Sequence, residues 1–187
     1  MMAIIHEELC EMGARPLLID GLFRKILIEY FSQTEEIEYP TLATKLYSSD
    51  VPTGIVIETV YKWDPKQTEK RPAILIKRGA WQPQHLAMFD GLKSVDANLD
   101  PTYFRFWQGE HQFICLSRSG AEADMLGAEI ARFLLHYGPF IRSACNFMRF
   151  RLQSLSPLSK IKEATDIFAI AVGVQYVWEE GVTITEK

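Results

Sequence analysis

The chain has 187 residues, of which 48% are apolar and 12% aromatic, with a net charge of −4. That is enough chain for one sizeable core and too little for two ordinary domains with a linker, and the composition is far from the disordered regime. The acidic balance argues against a dedicated nucleic-acid binder, because the basic pairs are scattered and offset by carboxylates instead of forming a stripe.

Cys10, Cys115 and Cys145 are an odd number without C-x-x-C spacing, so no disulfide framework is expected. Residues 1–14 read as an N-terminal arm. Glu7, Glu8 and Glu11 stand where a signal peptide needs a basic start, and no apolar run reaches spanning length. The expectation is a soluble protein made in a cytoplasm, with no membrane partner.

From Leu17 to Phe31 the apolar residues Leu18, Ile19, Leu22, Phe23, Ile26, Leu27, Tyr30 and Phe31 recur at helical spacing, wide enough to cover a sheet. Pro16 suits the first turn, and Asp20 with Arg24 and Lys25 with Glu29 read as i,i+4 pairs on the wet side. After an irregular acidic stretch from Thr34 to Val51, Gly54–Trp63 alternates like a strand. Asp64–Lys70 reads as a turn and Arg71–Arg78 as a returning strand, which together predict a projecting hairpin. Gly79–Asp100 follows as a long loop.

Tyr103–Trp107 and Gln112–Arg118 read as two strands broken at Gln108-Gly109-Glu110-His111. Ser119 followed by Glu122 has the spacing of a capping box, with each side chain meeting a free N–H of the first turn. The helix carries Met125, Leu126, Ile130, Phe133, Leu134 and Tyr137 inward, and Gly138-Pro139 is expected to stop it. Phe147–Leu155 alternates, with Arg149, Arg151 and Gln153 on a wet or partner-facing side. In the final strand, Ile167–Trp178, a bulky face from Phe168 to Trp178 backs onto Ala169, Ala171 and Gly173, small residues that would admit a helix closely. The fold class expected is α+β: a mixed, mainly antiparallel sheet of about six strands, two main helices and a projecting hairpin, in one domain over residues 1–187.

No constellation carries chemistry. Asp96, Asn98 and Asp100 match the opening of a calcium loop, but Pro101 stands where glycine is needed. The four histidines lack ligand spacing, and no Walker loop, G-x-S-x-G or G-x-G-x-x-G is present. No cofactor is expected. Cys115, His136 and Asp166 are the scattered residues from which a small enzyme site would have to be built, and a buried strand cysteine is more often a core residue.

The candidate interface residues are therefore aromatic and cationic. Tyr61, Trp63, Lys77 and Arg78 flank the expected hairpin turn, and Trp81 follows two cations. Arg149 and Arg151 share the polar side of their strand. Trp and Arg are common anchors of protein contacts. The alternative at Trp81 is a ring folded back on the core.

The run Arg71-Pro72-Ala73-Ile74-Leu75-Ile76-Lys77-Arg78-Gly79, then Phe113-Ile114-Cys115-Leu116 entering Ser119-Gly120-Ala121-Glu122-Ala123, then two strands ending Val172-Gly173-Val174-Gln175-Tyr176, has an order that resembles the tail-terminator (neck) proteins of long-tailed bacteriophages. The resemblance is one of pattern and spans roughly Leu17–Glu180. It implies a structural virion subunit, not an enzyme, that assembles as a ring, typically a hexamer, on the last ring of the tail tube. Such a ring halts tube polymerisation and meets the head-side connector or stopper protein, with DNA passing through its lumen. The N-terminal arm and the Gly79–Asp100 loop depart from the family. A head-completion, stopper or minor tail protein shares the same composition.

Overall fold

In the computed structural model, residues 16–47, 54–63, 71–84, 92–95, 101–161 and 164–183 are described. The N-terminal arm, the Asp64–Lys70 turn and the Asp96–Asp100 segment lie outside them. In chain order the elements are α1 (Pro16–Tyr30), a 3-10 turn (Thr34–Glu36), α2 (Pro40–Ala43), β1 (Val56–Thr59), a second 3-10 turn (Val60–Lys62), β2 (Ala73–Gln84), β3 (Leu92–Val95), β4 (Pro101–Ser117), α3 (Gly120–Ala144), β5 (Arg149–Leu155), β6 (Ser159–Ile161) and β7 (Ala164–Thr183).

The strands form one mixed, mainly antiparallel sheet in the order β1-β2-β4-β7-β5, with β3 beside β4 and β6 beside β7, seven strands among the described residues. With two long helices, α1 and α3, this is the expected α+β class. The centre is β4 against β7, paired without a bulge from Thr102↔Thr183 to Ser117↔Phe168.

Two strand readings change. β1 and β2 run parallel, Val56 beside Ala73 and Thr59 beside Ile76, so Gly54–Arg78 is not a hairpin. Residues 60–72 supply the dozen or so residues that a parallel return needs, and alternation within each strand is blind to direction. The expected break at Gly109 is also absent, since β4 is continuous. Gly109 is buried under Tyr176, where a Cβ would stand 2.6 Å from the ring, so the glycine makes room instead of a turn.

Part of the expected Gly79–Asp100 loop is strand as well. β2 continues to Gln84 after a bulge that sets Gly79 and Ala80 against Glu110, and β3 extends the same edge of β4. The far halves of β2, β4 and β7, with β3, thus form one continuous ribbon of sheet.

Both long helices pack on one face, α1 over β1 and β2 and α3 over β4, β5 and β7. The core between them joins Phe23, Leu27 and Phe31 to Ile74, Ile76, Phe113, Val172, Val174 and Tyr176. The close approach of α3 comes from its own Gly127, against Ile170 on the bulky face. The small residues of β7 lie on the opposite face, so the expected helix approach over Ala169, Ala171 and Gly173 does not occur.

The helix boundaries also differ. α3 runs through Pro139 to Ala144 instead of stopping at Gly138. Burial of Gly138, Ile141 and Ala144 holds the last two turns, offsetting the hydrogen bond that proline removes. The stop is Asn146, in the left-handed region at φ 51°. Phe147 N–H donates to Arg142 O at 2.9 Å and Asn146 N–H to Ser143 O at 3.2 Å, the paired bonds of a Schellman motif, with Phe147 buried beyond it. At the other end Ser119 Oγ accepts from Glu122 N–H at 3.4 Å. The Glu122 carboxylate does not reach back to Ser119. It takes the Ser117 hydroxyl and the Lys45 ammonium instead, tying β4, α3 and the α2–β1 connection together.

Candidate assembly interface

The sheet face away from the helices is only partly covered. At one end Val56, Ala73, Leu75, Leu116 and Ile167 make a small cluster under Val60, Trp63 and Ile161. Beyond it the face is crossed by a polar row. Arg151 Nε donates to Gln175 Oε1 at 3.0 Å, and Gln175 Nε2 donates to Glu110 Oε1 at 3.3 Å. Lys77 and Gln112 stand opposite each other, both exposed, and Ile114, Ala169 and Ala171 are half-buried.

Alternation therefore brings three of the candidate residues to this face. Phe150 and Ile76 point at the helices, so Arg149, Arg151 and Lys77 point away, and all three are exposed. Of the other four, only Trp63 shares the face, at the end that the small cluster occupies. Arg78 lies on the helix side, opposite His111. Trp81 is folded back, its ring 4.3 Å from that of Trp178 and edge-on to Tyr176, because the bulge at Gly79–Ala80 turns it to the helix side. Trp63 is half-buried against the small cluster. Tyr61 is 79% exposed at the β1 end.

The ribbon is aromatic on both sides. Phe104 and Phe106 meet edge-on at 5.3 Å, while Trp107 lies near-parallel to Trp178 and donates Nε1–H to Glu180 at 2.7 Å.

Buried polar groups pin the layers together, and these escaped the pattern reading. Asp20, read as a wet-side partner of Arg24, is buried and bonded to His111 Nε2, while Tyr176 Oη meets His111 Nδ1 at 2.8 Å. Arg24 pairs with Glu58 at 2.8 Å instead. Glu129, fully buried, accepts from Tyr30 Oη and Arg132, and Arg132 also reaches Glu38 at 3.2 Å. The signal was present in the sequence: Asp20 falls in line with Phe23 and Leu27, and Glu129 with Leu126 and Phe133, so each acid sits on an apolar stripe.

The scattered catalytic candidates are not assembled. Cys115 is fully buried, its Sγ 4.0 Å from Phe113 O, and burial pushes its thiol well above the usual range. His136 is exposed and edge-on to Tyr137, and Asp166 is exposed. Among the described residues no group of three or more His, Cys, Asp or Glu is arranged to hold a metal ion, and no helix is long and apolar enough to cross a membrane. No protein-family model matches the chain, and no curated protein is similar to it.

Proposed function

We propose that this chain is a structural virion subunit that assembles as a ring, closes the tail tube of a long-tailed phage and joins it to the head-side connector. The observation that carries the reading is the one-sided sheet. Both long helices lie on one face, and the other presents Arg149, Arg151 and Lys77 around half-buried Ile114, Ala169 and Ala171. A monomer gains little from leaving such a face in water, and an interface uses this mixture of apolar centre and charged rim. Head-to-tail contacts around an axis cover the face without an open end. The aromatic ribbon is a natural element to reach the tube protein or the connector. A lumen for DNA calls for no tight phosphate contacts, which agrees with the net charge of −4.

The test is the virion. Particles made without this protein should carry overlong tails or tails that fail to join heads. Tails of normal length attached to filled heads would overturn the terminator reading.

A further inference from the structure

Between α1 and the second half of α3 lies an open groove of about 190 Å³. Its floor is apolar, made by Ile26, Phe133, Ile141 and Ala144; exposed Phe140 stands at its mouth with two acids, Glu29 and Glu36, the latter also accepting the Tyr137 hydroxyl. The groove belongs to the helical layer. At the β1 edge, the 3-10 turn Val60–Lys62 carries an exposed aromatic ring beside a charge of the opposite sign. Val60 and Trp63 are anchored in the small cluster of the other sheet face, which leaves Tyr61 standing out. At 79% exposure Tyr61 is the most exposed large apolar side chain among the described residues, and Lys62 beside it is exposed too.

We infer that the Tyr61–Lys62 turn of one copy docks in the α1/α3 groove of a second copy, the ring on the apolar floor and the ammonium at Glu29 and Glu36. An aromatic ring with a polar tip, next to a cation, suits an apolar groove with an acidic rim. Leu135, next in exposure at 66%, lies on α3, the helix that walls the groove. Knob and groove lie on different parts of the molecule, so each copy offers one of each. The contact is heterologous, repeating from copy to copy until the rotation closes.

This inference rests on the assembly reading above and supplies a contact between neighbouring copies. It is tested on the purified full chain by Tyr61→benzoylphenylalanine, which keeps an aromatic ring at the position and cross-links on illumination. Mixed with an isotopically labelled copy, the variant should give a ladder of cross-linked species. Mass spectrometry should place the bond on labelled peptides carrying Ile26 or Phe140–Cys145. Adding Phe140→Arg at the groove mouth should abolish the ladder, and Tyr61→Ala should weaken self-association about tenfold or more. Cross-links confined to one chain, cross-links elsewhere on the partner, or no cross-link at all would overturn the contact. A ladder from a protein whose loss leaves tails normal would keep the contact and sink the terminator function; overlong tails without a ladder would do the reverse.

Discussion

Gly109 lies directly against Tyr176: a Cβ on Gly109 would stand 2.6 Å from Cε2 of the ring and 2.9 Å from its hydroxyl. The ring has little freedom to yield, since it is fully buried, stacked on Phe147 at 4.7 Å and bonded to His111. Gly109→Ala should therefore cost about 1–3 kcal/mol by overpacking, read as a lower denaturation midpoint with unchanged slope. An unchanged midpoint would mean that Tyr176 can move.

Arg132 neutralises a carboxylate that is otherwise sealed in the core. Arg132→Ala leaves Glu129 buried without its cation and should destabilise by about 3 kcal/mol. Adding Glu129→Leu should recover most of the loss, because removing both charges costs far less than stranding one. A double variant as unstable as Arg132→Ala would show that the cluster does not act through charge.

Burial holds the phenols of Tyr30 and Tyr176 neutral and raises both above the ordinary value of 10.0. The thiol of Cys145 is likewise pushed up to about 12 by burial. Above the ordinary values the unfolded chain has lost protons that the folded one retains, so raising the pH favours unfolding. The stabilisation is complete at neutral pH and drains away as pH rises from about 9 for the thiols and about 10 for the phenols. A melting temperature measured from neutral pH upward should fall through that window, and less steeply in Tyr30→Phe. A flat profile would contradict the burial of these groups.

Parallel pairing of β1 with β2 makes the connection between them structural. Deleting Pro65–Glu69 leaves fewer residues than a parallel return takes. The deletion should lower the melting temperature and free the Val56–Thr59 amides to exchange. A deletion variant as stable as the parent would argue for a different pairing.

The thiol of Cys115 is out of reach of solvent. An alkylating reagent should leave it unmodified in the folded protein and label it after denaturation. Cys115→Ala combined with His136→Gln should preserve assembly, with a stability cost of a few kcal/mol at most. Loss of infectivity in a variant that folds and assembles normally would revive the enzyme reading.

What was legible in the sequence is what depends on neighbours along the chain. The apolar stripes of α1 and α3, the alternation of β5 and the two-faced β7 all carry their period locally. Three features do not. Strand direction leaves no mark on alternation, so parallel β1 looked like half a hairpin. Gly109 and Pro139 carry the local signature of a break, yet tertiary packing gives one a ring to accommodate and the other a buried final turn. The link Asp20–His111–Tyr176 joins residues 91 and 65 positions apart, which no local window contains. Among the candidate interface residues, alternation correctly grouped Arg149 with Arg151. The bulge at Gly79–Ala80 reversed the facing of Trp81 relative to a simple count.

The unbroken register of β4 and β7 has a mechanical consequence. Sixteen paired residues of strand make a beam of about 55 Å, and bulges, the joints at which sheets bend, occur in its flanking strands β2 and β5 but not within the pair. A push on the tip at Thr102 and Thr183 is therefore delivered, with little give, to Ser117 and Phe168 at the far end. Ser117 holds Glu122 at the start of α3, so whatever the ribbon touches is coupled by a stiff lever to the seating of the longest helix.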